Sequence, residues 1–185
     1  LKKSKELLKK IGDAKLNIEF SSELHLNNID NEFIELCKYS KMNGLKFGIE
    51  SAIEEVRDSV SRFSVTNDKQ KIIINKIKEA GIKTVGMFIL ALPTDTRETC
   101  IKTIDYACSL NLDVAQFSIF TPYPGTPYYN KNISKVKKTD YQNFNQYQLV
   151  YEHSSIDARE ARELLDSAYK KFVLSKFKNI FSRVN

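Results

Sequence analysis

Apolar positions along the chain fall into blocks that alternate between helical and strand-like character. Residues 1–11 read as an amphipathic helix, and KLNIEFSSELHL (Lys15 to Leu26) as a strand leading into a loop. Asp30 is placed to cap a helix running to about Met42, closed by Asn43 and Gly44. LKFGIES (Leu45 to Ser51) is a short strand, with a helix near Ile53 to Val60 behind it. Asn67 with Gln70 forms a capping pair for a helix that ends at Gly81. KTVGMFILAL is a third strand, apolar without alternation, the pattern of a parallel strand covered on both faces. Asp95 and Glu98 form a second capping pair, opening the helix RETCIKTIDYACSL, and DVAQFSIF is the fourth strand. From Tyr141 the pattern turns aromatic and irregular. A last helix begins near Asp157, with Ala161, Leu164, Leu165, Ala168, Phe172 and Phe177 on one apolar side.

Four strands separated by helices imply α/β architecture, with parallel strands joined by right-handed crossovers. An open doubly wound sheet and part of a (β/α) barrel both fit, and both place ligands at the carboxyl ends of the strands. The informative stretches are therefore SSELH, GIES, LALPTDT and TPYPGTP. Glu50 and Ser51 at a strand end can hold a sugar diol or an amine, or can open the next helix, where both residue types are favoured. Ser21, Ser22 and His25 are polar candidates of the same kind. Pro122, Pro124 and Pro127, three of the chain's 4 prolines, end the last strand and stiffen the segment beyond it, with Gly125 allowing the bend. With only His25 and His153 available, no Ser/His/Asp triad is indicated, and the 6 glycines form no phosphate loop.

Composition narrows the class. A length of 185 residues with 42% hydrophobic and 28% charged content suits one ordinary globular domain. The longest apolar run, Val85 to Leu92, is too short to cross a bilayer, and the charged opening LKKSKELLKK is no secretory signal. A cytoplasmic protein is expected. The net charge of +6 is the excess of 29 basic over 23 acidic residues, and the basic ones are spread along helical segments, which argues for solvated faces over a nucleic-acid partner. Cys37, Cys100 and Cys108 are too widely spaced for a metal or cluster motif and read as buried, reduced thiols. The chain lacks an initiator Met and opens inside a helix, as a fragment would.

KFGIESAIEEVRDSVSR, followed by EAGIKTVGMFILALPTDTRETCIKTIDYACSLNLDVAQFSIFTPYPGTPYY, resembles the second half of a radical S-adenosylmethionine (SAM) enzyme of the cobalamin-binding-domain type. The closing SAYKKFVLSKFKNIFSRV is similar to the final helix of the same group. The resemblance implies a partial TIM-like (β/α) barrel of parallel strands, of which residues 1–135 are the C-terminal part. Residues 136–185 would be an irregular segment and a helix packed on that barrel. It implies SAM as cofactor, with a 4Fe–4S cluster held by cysteines upstream of Leu1 and a cobalamin domain upstream as well. Glu50 and Ser51 would contact the SAM ribose or amine, Arg62 its carboxylate and Ser22 its methionine moiety. Leu90, Phe120 and Pro122 would flank adenine.

The same resemblance implies radical or methyl-transfer chemistry on a small-molecule or lipid-like substrate. The partners would be the N-terminal half of the same protein and a reductant such as flavodoxin or ferredoxin. The lysines of the last helix, opposite its apolar side, admit a peripheral contact with anionic lipid, although packing on the barrel is favoured. Ala52 and Ala91 stand where the family has glycine, His25 where it has arginine, and Phe63 where it has glycine. A methyl group opposes positive φ. The departures fit a divergent active member or a degenerate barrel module with a binding or assembly role.

Overall fold

The computed structural model describes residues 1–60, 64–137 and 141–181, with side chains in the last helix as far as Phe177. The elements are α1 (Lys2–Asp13), β1 (Phe20–Glu23), α2 (Asn31–Tyr39), β2 (Met42–Glu50), α3 (Glu54–Ser59), α4 (Asn67–Glu79), β3 (Lys83–Leu90), α5 (Arg97–Ser109), β4 (Val114–Ile119), α6 (Pro127–Lys131) and α7 (Ala158–Phe181). The four strands form one parallel sheet in the order β1-β2-β3-β4. This is the α/β, barrel-like pattern expected from the sequence.

The chain divides into two compact units, each assembled from separate stretches. The first is Leu1–Ile49, Ser64–Met87 and Leu110–Gln116; the second is Glu50–Phe63, Phe88–Ser109 and Phe117–Asn185.

In the first unit α1 packs on α2. Lys5 bridges Asp30 at 2.6 Å and Glu32 at 2.5 Å, and the Tyr39 hydroxyl donates to Asp13 at 2.8 Å. Gly12 lies under the Tyr39 ring, where an added Cβ would come within 2.2 Å of it. Asp30 caps α2 as expected, accepting the Phe33 N–H at 2.8 Å. That helix stops at Tyr39, however, and Lys41 turns the chain at φ +60. Asn43 and Gly44 are strand residues of β2, not a closing turn. Gly44 lies close against Ser21: an added Cβ would come within 3.2 Å of the Ser21 Cβ, so a larger residue would require β1 to give way slightly. The expected Asn67/Gln70 pair is also different. Thr66 precedes α4, and Gln70 is buried and donates to the Val65 carbonyl and the Ser64 hydroxyl. Thr84 and Asp113 clasp the amino ends of β3 and β4, with Lys78 paired to the same carboxylate.

In the second unit an aromatic stack ties β3 and β4 to α7. Phe88 and Phe117 stack at 5.3 Å, while Tyr169 and Phe172 meet Phe117 edge-on at 5.4 and 6.3 Å. The Tyr169 hydroxyl donates to the Phe117 carbonyl at 2.9 Å and accepts its N–H at 3.2 Å. Ala161, Leu164, Leu165, Ala168 and Phe172 are buried as the periodicity requires, but Phe177 is exposed. The start of α5 is capped by Thr96 and Thr99, each accepting the other's N–H, rather than by Asp95 and Glu98. Glu98 pairs with Lys102 instead.

β3 alternates along its length: Thr84, Gly86, Phe88 and Leu90 are buried, while Val85, Met87 and Ile89 are half-exposed. The expected coverage of both faces is therefore not observed. One face is fully buried, and the other retains some access to solvent.

Candidate active site at the strand ends

Three strand ends lie in the second unit. Glu50 closes β2 at φ +65, a left-handed conformation uncommon outside glycine, and is 9% exposed. Ser51 follows with no accessible surface. Its hydroxyl lies 3.1 Å from the Thr103 hydroxyl and accepts the Ile53 N–H at 3.1 Å, so it is committed inside the protein. Thr103, on α5, also accepts the Ala52 N–H at 3.1 Å. Arg57, on α3, is buried and donates from Nη1 to the Ser51 carbonyl at 2.5 Å. The turn after Glu50 is thus held from two helices.

The end of β3 is built in the same way. Ala91 is fully buried at φ +55. Its N–H donates to Cys100 Sγ at 3.4 Å, and its carbonyl accepts the Tyr151 hydroxyl at 2.7 Å. The Leu92 N–H donates to Asp95 Oδ2 at 2.8 Å, and the Leu92 carbonyl lies 2.8 Å from His153 Nε2. Burial pushes the Asp95 carboxyl above its ordinary range, against hydrogen bonds from Thr99, Leu92 and Cys100 that pull it down. Leu90 is buried, and its carbonyl accepts the Phe120 N–H at 2.9 Å. At the end of β4, Phe120 is half-buried between Tyr128 (5.0 Å) and Tyr151 (5.7 Å), and Pro122 is buried. Tyr128 packs edge-on against Phe120, whereas Tyr123 is exposed. Gly125 makes the bend at φ +85, and Pro127 opens α6 behind a Thr126 cap.

Glu50, Ser51, Leu90, Phe120 and Pro122 therefore all belong to the second unit. Ser22 belongs to the first. The β1–β2 register pairs Ser22 with buried Leu45, while Ser21 and Glu23 pair with Gly44 and Lys46 on the opposite face. Arg62 and Phe63 lie outside the described residues. Ala52 is not left-handed; the strained position is Glu50, the last residue of β2.

Sequence reasoning did not single out Arg57, Cys100, Thr103 or Tyr151 as structural partners of these turns. The i,i+3 spacing of Cys100 and Thr103 was the one available signal, since it puts both on one helix face. All three cysteines are free; Cys37 and Cys100 are buried as expected, whereas Cys108 is only partly buried. Burial pushes the Cys37 thiol up to about 12 and raises Cys100 further. Among the described residues no cluster of His, Cys, Asp or Glu could hold a metal, and no helix is long and apolar enough to cross a membrane.

The same backbone occurs in solved proteins. Coproporphyrinogen III oxidase (HemN) from Escherichia coli, described as a radical SAM enzyme, superposes with a TM-score of 0.64 over 92% of this chain and 36% of its own, at 20% identity. The chain shares the fold of this radical SAM enzyme. The radical S-adenosylmethionine methyltransferase TsrM from Kitasatospora setae, with cobalamin and a [4Fe–4S] cluster bound, superposes with a TM-score of 0.63 over 85% of this chain and 33% of its own, at 18% identity. In sequence, an uncharacterized methyltransferase from Pyrococcus horikoshii is 26% identical over 94% of this chain and 38% of that protein. No protein-family profile matches the chain. The chain spans between 33% and 38% of the length of these three proteins.

Proposed function

We propose that this chain supplies SAM-facing strand ends to a radical SAM enzyme, within a longer protein that carries the cluster-binding cysteines and a cobalamin-binding domain. One observation carries the reading: Glu50, a buried carboxylate held left-handed at the carboxyl end of a parallel strand. Such conformations cost roughly 1–3 kcal/mol and gather at functional sites. A carboxylate there suits the ammonium or the ribose diol of SAM, and the Phe120 ring suits a flat heterocycle.

The cysteines do not suit a cluster. Cys37 and Cys100 are sealed inside different units, so no step is assigned to iron on these residues. SAM, with a cluster and cobalamin from elsewhere in the protein, would supply the radical or methyl-transfer chemistry. The part of this chain is to bind and orient. Glu50 would fix the polar end of the ligand, while the half-buried Phe120 ring, with the chain at Leu90 and Pro122 packed behind it, would flank its base. The methyltransferases from K. setae and P. horikoshii favour methyl transfer as the reaction class. A small-molecule or lipid-like substrate and a flavodoxin- or ferredoxin-type reductant complete the reading.

A degenerate, non-catalytic module is the competing reading. It is favoured by the inward commitment of the Ser51 hydroxyl and of the Ala91 and Leu92 backbone groups. Anaerobic reconstitution of the full-length protein separates the two. The enzyme reading expects stoichiometric iron and sulfide together with SAM binding by equilibrium dialysis. It also expects Glu50→Gln to weaken that binding about tenfold, the loss of one charge-assisted hydrogen bond. A full-length protein that takes up no cluster and binds no SAM fits only the module.

A further inference from the structure

The turn after β3 adopts a shape its own residue opposes. Ala91 is left-handed at φ +55, where its Cβ crowds the following carbonyl at a cost of about 1–2 kcal/mol. Two of the bonds that hold this turn come from nearby in the chain: Cys100 takes the Ala91 N–H and Asp95 the Leu92 N–H. The other two come from 60 and 61 residues along the chain. The Tyr151 hydroxyl donates to the Ala91 carbonyl at 2.7 Å. His153 Nε2 reaches the Leu92 carbonyl at 2.8 Å. His153 Nδ1 accepts the N–H groups of Ser155 and Ile156 at 3.0 and 3.1 Å, which leaves the ring proton on Nε2 and makes that atom the donor.

Tyr151 is itself fixed. It is buried and wedged edge-on against Phe120 at 5.7 Å and Tyr128 at 6.2 Å. Burial also raises its hydroxyl far from ionisation, which keeps it a donor. One side chain therefore touches both the strained carbonyl after β3 and the aromatic ring after β4.

We propose that Tyr151 and His153 are positioning residues that act through the buried turn at residues 90–92, at the carboxyl end of β3, and through the half-buried Phe120 ring beside it. They hold Ala91 left-handed, and Tyr151 sets the Phe120 ring at the same time. Glycine would adopt this turn unaided, whereas alanine requires the clamp. The inference rests on the reading that these strand ends face SAM.

The test uses the full-length protein, with Tyr151→Phe made alone and together with Ala91→Gly. SAM affinity by equilibrium dialysis and amide hydrogen exchange over residues 90–95 are both measured. Tyr151→Phe is expected to weaken SAM binding about tenfold, the equivalent of one buried hydrogen bond. In the Ala91→Gly protein the same change should cost less than about twofold, because glycine needs no clamp. A general structural role predicts equal losses in both backgrounds, so equal losses or no loss overturn the proposal. His153→Ala removes the Leu92 bond by another route and should speed exchange over the same residues. Exchange also separates the two ways of failing. Faster exchange in a protein that binds SAM with unchanged affinity removes the positioning role. Absence of SAM binding before any substitution removes the ligand reading, and with it the role of the turn in positioning the ligand-side ring.

Discussion

Glu50 and Ala91 are both left-handed without being glycine, and both are answered from one face of α5. Thr103 holds the turn after Glu50, and Cys100, one helical turn earlier, holds the N–H of Ala91. Thr103→Val keeps the volume but removes the acceptor of the Ala52 N–H and the partner of the Ser51 hydroxyl. It is expected to cost about 1–3 kcal/mol in urea unfolding, because buried polar groups are left unpaired. Thr103→Ser, which keeps the hydroxyl, should recover much of that loss; a valine variant as stable as the parent would mean that Thr103 only fills space. Ala91→Gly by itself should be nearly neutral in the same measurement. Strain relief of about 1–2 kcal/mol opposes the extra unfolded-state entropy of glycine, about 0.4–1 kcal/mol, and the loss of a buried methyl group.

At the scale of elements, two devices govern β4 and its neighbours. The outer edge of β4 is closed within the second unit by the Tyr169 hydroxyl, which serves both backbone groups of Phe117, and by the Gln146 carbonyl, which accepts the Ile119 N–H at 2.7 Å. Tyr169→Phe keeps the ring packing and removes only the hydroxyl. It should destabilise by about 1–3 kcal/mol and speed exchange at Phe117; unchanged exchange would show that water replaces the hydroxyl without cost.

In the first unit, the clasp between Thr84 and Asp113 gives a pH dependence. Burial raises the Asp113 carboxyl, but the hydrogen bond from Lys78, the Thr84 N–H and the Lys78 charge outweigh it, leaving it below its ordinary value of 3.8. A folded-state value below the unfolded one means that the contribution is fully present above pH 3.8 and is lost as pH falls through the lower folded value. Asp113→Asn should therefore flatten the acid limb of the stability curve while lowering stability near neutrality. An acid limb identical to that of the parent would contradict this.

At the scale of the whole chain, the sheet order leaves β1 and β4 as its edge strands, and β4 is the one closed by side chain and loop. Unpaired strand groups template association. The 185-residue chain by itself is expected to associate with rising concentration in analytical ultracentrifugation, through the β1 edge. A monomer with a sharp, concentration-independent melt would contradict this.

The sequence alone determined the helix–strand alternation, the parallel sheet and the carboxyl-end location of Glu50, because periodicity and caps such as Asp30 and Asp157 are local properties of the chain. It did not determine where α2 ended or how β3 was covered. A strong Asn43-Gly44 turn signal lost to the pairing of Gly44 with Ser21, and an unbroken apolar run proved to be covered on one face. Nor could it show that Thr96 and Thr99, rather than Asp95, cap α5, since Asp95 turns back to the Leu92 N–H. Tertiary structure decided which face of β1 carries Ser22. It also decided that the Ser51 hydroxyl is spent internally, and that Tyr151 and His153 reach the turn after β3. Those contacts join residues far apart in the chain, and no local pattern encodes a hydrogen bond that exists only once the strands and the last helix have packed.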